Sequence, residues 1–461
     1  MAGGAGAEPS GGAAETLAGG GSGGEEAGAG GSNSTLTIEQ AFAAQGFSFE
    51  PGSFKTIDLS ACCDEGKNCA GNNPTSPYGA FYVPAAPDQT VQEEHAEPDG
   101  TSAIFRMRAD EAVVYIGESP PEAAYFGFTA YLMERTYENG DRRTPFASLG
   151  ETLNNGVVAG DGAEAFGVPL AVIVSGDGNT EQKTRAALIA SGFDAASIYT
   201  LVIDSSAGQM GLDLDDSTYG VLFRYALPED RAAGERYLSA IPGAVYRLGP
   251  SDRGALDPLL ADAPRAKGTM VEDAALETAL DALESAVRAK TPDVEAQSML
   301  ITQGEPDPQA CIETGTGCAG DNRDTNYPAT LPQPFFTEPG EFYMVIGVDH
   351  RAVGKVAYSN FSFYALEHLV GITGVSDRDF AGTGAEWLPD EPLAGKLFAW
   401  KIARDCGADA HCTEIPMAAC PEGISDGDAA LIAFRTYLEP GTHTAPAVDT
   451  LIGSRVLRFR P

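Results

Sequence analysis

The stretch CCDEGKNCAGNNPTSPYGA at residues 62–80 has a counterpart, CIETGTGCAGDNRDTNYPA, at residues 311–329. At a constant offset of 249 residues, Cys, Gly, Cys, Ala, Gly, Asn, Tyr and Ala coincide, 8 of 19 positions without a gap, which implies an internal repeat. A second pair follows in the same order: YFGFTAYLME at 125–134 and YSNFSFYALE at 358–367 share Tyr, Phe, Tyr and Glu. An apolar run ending in glycine precedes each, VVYIG to Gly117 and YMVIG to Gly347. The expectation is a duplicated, strand-rich unit. The repeat also orders the cysteines. Cys62 and Cys69 share the spacing of Cys311 and Cys318, so each pair closes a local loop. Cys406 with Cys412 is the next local pair, which leaves Cys63 and Cys420 to bridge the two units.

Between the copies the pattern changes. PLAVIVS (169–175) reads as a buried strand, followed by the turn Gly176-Asp177-Gly178-Asn179 and a helix that Asn179 and Gln182 would cap and Gly192 would stop. IYTLVI, YGVLFRYA and GAVYRL read as further strands, with a helix between the last two. The order βαββαβ is that of a ferredoxin-like domain. In the next segment Leu276, Leu280, Leu283 and Val287 fall on one helical stripe. The expected fold class is α+β. Two related β-rich units (35–165 and 300–461), sandwich- or barrel-like, flank an inserted ferredoxin-like domain (166–250) and a helical connector (251–299). Residues 1–34, rich in Gly, Ala, Ser and Glu, read as a flexible tether of the kind found behind the lipidated cysteine of envelope lipoproteins. They show neither the basic start nor the apolar run of a signal peptide.

Charge narrows the partners. Lys plus Arg is 29 against 66 Asp plus Glu, a net charge of −37. That field opposes nucleic acid and anionic lipid surfaces. No apolar run is long enough to make a transmembrane helix. Eight cysteines in short loop clusters, without zinc spacing, point to an oxidising, extracytoplasmic compartment.

Three constellations could carry chemistry. Asp349, His350 and Arg351 follow the strand YMVIGV, where an acid beside a histidine could orient a general base. Tyr125, Phe128 and Tyr131, with Tyr358, Phe361 and Tyr364, could line an aromatic pocket for a glycan or an apolar molecule. Asp64 and Glu65, with Asp321 and Asp324, are oxygen-rich positions in the repeated loops, suited to calcium. The resulting expectation is an exported, disulfide-stabilised envelope or secreted protein that binds a small molecule, glycan or envelope protein. The alternative is a hydrolase- or lyase-like enzyme centred on Asp349, His350 and Arg351.

Overall fold

A computed structural model describes residues 36–461, apart from 65–68, 70, 161, 163, 292 and 293. The tether reading of 1–34 and the calcium candidate Glu65 therefore lie outside the described residues. In chain order the first lobe comprises α1 (Ile38–Ala44), β1 (Phe47–Thr56), α2 (Leu59–Asp64), β2 (Tyr78–Pro84), β3 (Ala112–Glu118), β4 (Ala123–Thr136) and β5 (Pro169–Ser175). It continues with α3 (Gly178–Ala190), β6 (Ile198–Val202), β7 (Thr218–Pro228), α4 (Arg231–Ser239) and β8 (Gly243–Pro250). One layer runs β6-β5-β3-β8-β1 and the other β1-β2-β7-β4. Strand β1 serves both: Phe47 to Gly52 pair with β8, and Ser53 to Thr56 pair with β2. The crossing falls at Pro51-Gly52. A Cβ on Gly52 would sit 2.4 Å from the Tyr82 carbonyl oxygen, so only glycine fits this close approach.

Alternation along the strands builds the core between the layers. Val113, Tyr115, Val172 and Val245 from one layer meet Phe81, Phe128, Val221 and Phe223 from the other. Phe54 stands edge-on to Tyr115 at 5.1 Å and to Phe81 and Phe223 at 5.2 Å, a geometry worth about 0.5–1.5 kcal/mol per pair beyond burial. The outer face of the first layer packs under α1 and α3 through Phe42, Ile173 and Leu188.

The second lobe comprises α5 (Ala274–Ala289), β9 (Glu295–Ser298), β10 (Ile301–Gly304), α6 (Pro308–Thr314), β11 (Tyr327–Thr330), β12 (Phe342–Val348) and β13 (Tyr358–Ala365). It ends with β14 (Val370–Ser376), β15 (Leu397–Ala403), β16 (Cys412–Glu414), β17 (Ala429–Tyr437) and β18 (Arg455–Arg460). Its layers run β16-β15-β12-β18-β9 and β10-β11-β17-β13-β14. The stripe Leu276, Leu280, Leu283 and Val287 of α5 is buried against Met344, Ile346 and Leu457 on the outer face. The two lobes share a strand order. Each has one parallel pair at the same edge, β5 with β6 and β15 with β16. Where β1 bends, the second lobe has two short strands, β9 and β10.

The strands of 166–250 do not form a separate ferredoxin-like sheet. β5 and β6 pair with each other, β7 joins β2 and β4, and β8 joins β1 and β3, so this segment completes both layers of the first lobe. The element order survives, but order does not fix pairing partners. Strands with two apolar faces gain more burial between partners from 36–165 than in a four-stranded sheet of their own. The helix cap also differs. Asp177, not Asn179, caps α3 by accepting the Thr180 amide at 2.9 Å.

Candidate functional site

The two cysteine loops with matching sequence dock into opposite lobes. Cys62, Cys63 and Cys69 pack on the core of the second lobe, and Cys311 and Cys318 on that of the first. All eight cysteines are paired: Cys62–Cys69, Cys311–Cys318, Cys406–Cys412 and Cys63–Cys420, the last joining the lobes.

The contacts match position by position. The Cys69 amide donates to the His368 carbonyl at 2.7 Å, and the Cys318 amide to the Pro145 carbonyl at 2.7 Å. The Gly71 amide reaches the Leu369 carbonyl at 2.9 Å, and the Gly320 amide reaches that of Phe146 at 2.9 Å. Both acceptors, Leu369 and Phe146, adopt positive φ, 47° and 39°. Asn72 Oδ1 accepts the Gly371 amide at 2.9 Å, and Asp321 Oδ1 accepts the Ser148 amide at 2.8 Å. Asn73 Nδ2 donates to the Tyr358 hydroxyl at 3.0 Å, and Asn322 Nδ2 to the Tyr125 hydroxyl at 3.0 Å. Gly320 has φ +68°, and a Cβ there would lie 2.5 Å from the Phe146 ring.

Two buried arginines sit at equivalent places behind these loops. Arg224 lies over the rings of Tyr78 and Tyr131 (5.0 and 5.6 Å), Arg435 over those of Tyr327 and Tyr364 (4.5 and 5.8 Å). Arg224 also donates to the Gly320 carbonyl at 2.9 Å. Their sequence signal is an arginine inside an apolar strand run, Phe223-Arg224 and Phe434-Arg435.

The six aromatic candidates are all buried. Phe128 and Phe361 are core residues, and Tyr125 and Tyr358 meet Tyr437 where the lobes touch. None lines either of the two cavities described below. Of the calcium candidates, Asp64 is exposed, whereas Asp321 and Asp324 are buried. Asp321 holds the Ser148 amide and hydroxyl (2.8 and 2.6 Å), and Asp324 accepts the Tyr125 hydroxyl at 2.9 Å. Burial raises both carboxyl pKa values, that of Asp324 to about 6. Among the described residues, a compact carboxylate–imidazole group occurs elsewhere: Glu94, His95 and Glu134 bring their ligand atoms within 4.8 Å of one another. Glu134 there pairs with Arg142 at 2.9 Å.

Asp349, His350 and Arg351 diverge. Adjacent side chains leave the turn in different directions. The Asp349 carboxylate accepts the Ala352 amide at 3.0 Å, and burial raises its pKa. Arg351 is half-exposed and 3.7 Å from Asp377, whose own buried carboxyl is pushed up to about 6. His350 is buried, and its Nδ1 lies 2.6 Å from Glu272 Oε1 in the connector. The other Glu272 oxygen accepts the Ile452 amide at 2.7 Å. Lys355, fully buried, pairs with Glu439 and the Met270 carbonyl. These partners pin the strap Gly268–Asp273 onto the second lobe. A cavity of about 140 Å³ beside it is lined by Glu272, Lys355, Leu393 and Lys396 among others. A larger one of about 410 Å³ lies on the first lobe, between β1, β8 and Arg108.

No family model and no curated protein matches the chain. A solved structure of an uncharacterised protein from Burkholderia cenocepacia is similar at 13% identity, covering 92% of this chain and 86% of that one, with a TM-score of 0.37. The partial N-terminal region of an enterococcal surface protein is 10% identical, with 88% and 86% covered and a TM-score of 0.17. Likenesses this faint carry no argument.

Proposed function

We propose that this chain is an exported envelope or secreted protein that works by binding, and that it arose by duplication of one two-layered lobe. The observation that carries export is the pairing of all eight cysteines, including Cys63–Cys420 across the lobes. Such a set persists in oxidising compartments and is rare in reducing ones. No helix among the described residues is long and apolar enough to cross a membrane, which fits a tethered or released protein. Duplication is supported by the common strand order and by the four matched contacts of the cysteine loops. The enzyme reading has one supporting observation, the buried Glu272–His350 pair. The adjacent cavity is small against the roughly 300–1,000 Å³ of ordinary ligand sites, so binding is preferred.

The test compares chain made in an oxidising periplasm with chain made in a reducing cytosol. Periplasmic protein should resist thiol alkylation without reductant and weigh less than the reduced chain by eight hydrogens. Its Tm should exceed that of the cytosolic form by many degrees. Persistent free thiols in the periplasmic form, or equal stability of the two, would overturn the export reading.

A further inference from the structure

We propose that the cleft between β1, β8 and Arg108 is a site for a small oxyanion-bearing molecule, a carboxylate or a phosphate. The proposal names a ligand class for the binding reading above and rests on that reading. The cleft measures about 410 Å³, within the range of small-molecule sites, and three of its lining residues are Arg108, Arg247 and Arg253. Two carboxylates, Glu50 and Asp88, line it as well; in a chain with only 29 cationic residues against 66 acidic ones, three guanidinium groups round one cleft are still a local concentration of cation.

Two of them are held in place. Arg108 Nη2 and Arg247 Nη2 grip the two oxygens of buried Glu111 at 2.8 and 2.7 Å. Arg247 also donates to the carbonyls of Pro84 and Arg106 (2.9 and 2.7 Å). Fixed guanidinium forks of this kind suit carboxylate and phosphate groups. The Nε donors of Arg108 and Arg247 are buried and make no hydrogen bond; the Asp110 carboxylate stands 3.9 Å from the former.

The chain itself shows how an oxyanion sits there. Asp88 bridges two of the arginines, Oδ1 to Arg108 at 2.6 Å and Oδ2 to Arg253 at 3.3 Å. Its side chain is 60% exposed, so little holds it except those charges. The Arg108 hydrogen bond keeps its carboxyl below the usual range. Asp88 is thus an internal stand-in that an incoming carboxylate or phosphate displaces, while Arg253, itself largely exposed, closes over the newcomer.

The experiment titrates the full disulfide-bonded chain with citrate and, separately, inorganic phosphate at fixed ionic strength, by calorimetry. Saturable one-to-one binding of at least one probe is expected. Arg253→Ala, a change at an exposed side chain, should weaken it about tenfold, the loss of roughly one charge-assisted pair. Asp88→Asn, which removes the internal rival, should tighten it several-fold. Binding of citrate alone assigns a carboxylate ligand, and of phosphate alone a phosphorylated one. No saturable heat with either probe, or binding unchanged in the Arg253 variant, overturns the site. An Asp88 variant that binds no tighter overturns the displacement. Either failure leaves the export test above unaffected, because alkylation and Tm do not depend on the cleft.

Discussion

Asp324→Asn should make the protein more stable at neutral pH and leave it nearly unchanged in acid. Asp324 is completely buried where the second cysteine loop enters the first lobe. Burial pushes its carboxyl from an ordinary 3.8 up to about 6, against the pull of the Asn154 and Tyr125 side chains. Arg265 and Lys267 nearby favour the charged form, and Glu151 opposes it. With the folded value raised, the folded chain holds the proton more tightly than the unfolded one. Stability from this group is therefore full below about pH 4 and falls as pH rises towards about 6. A rise from 3.8 to about 6 corresponds to about 3 kcal/mol lost by neutral pH. Asparagine mimics the protonated carboxyl and does not titrate. Urea unfolding of both proteins at pH 4, 5, 6 and 7, disulfides intact, should show the variant gaining on the parent by up to about 3 kcal/mol across that range. A difference that does not change between pH 4 and pH 7, or a variant less stable at pH 7, would refute the reasoning.

Asn73→Ala and Asn322→Ala should destabilise the chain by similar amounts, about 1–3 kcal/mol each, because each leaves one interfacial tyrosine hydroxyl short of a partner; double-mutant cycles with Tyr358→Phe and Tyr125→Phe should show coupling within each pair and none across pairs. Replacing both Cys63 and Cys420 by serine should cost about 2–5 kcal/mol, read as a lower urea midpoint, while the three local disulfides remain protected from alkylation. Leu280→Ala should cost about 2–5 kcal/mol in the same assay, since Leu280 on α5 is fully buried against the sheet residues Met344, Ile346 and Leu457.

What could be read from sequence was local or repeated. The stripe of α5 is legible because four apolar positions at helical spacing have one burial solution. The local disulfides are legible because their loops close within seven residues or fewer, and the fourth follows once those are taken. Pairing of distant strands is a different matter. Gly243 of β8 lies opposite Gly117 of β3, and Phe47 of β1 opposite Pro250 of β8. Periodicity marks each strand but carries no address for its neighbour, so βαββαβ was legible as an order and not as a sheet. The Asp349-His350 pair fails for a related reason. The partner of His350 is Glu272, 78 residues upstream in a connector with no repeat to flag it.

The repeat also explains why the loop residues stand out in the sequence while their roles do not. Each loop is read by the other lobe, so Cys, Gly and Asn recur at the offset of 249; the asparagines meet a tyrosine in both lobes, whereas the backbone carbonyls that receive Cys and Gly belong to differing residues, His368 and Leu369 in one lobe and Pro145 and Phe146 in the other. The departures from the repeat are then informative. Thr75, equivalent to Asp324, donates its hydroxyl to Asn73 within its own loop at 3.0 Å. Asp324 instead reaches across to Tyr125. Ala226 occupies the place that Tyr437 fills in the second lobe, where it stacks on Tyr358 at 4.6 Å. The first loop is also tied covalently to the second lobe through Cys63–Cys420, whereas the disulfide of the second loop is local. The seat of the first loop is thus clamped by a disulfide and carries Thr75 where the second loop carries the buried carboxyl of Asp324. The pH slope assigned to Asp324 therefore belongs to the second loop, and the covalent tie between the lobes to the first.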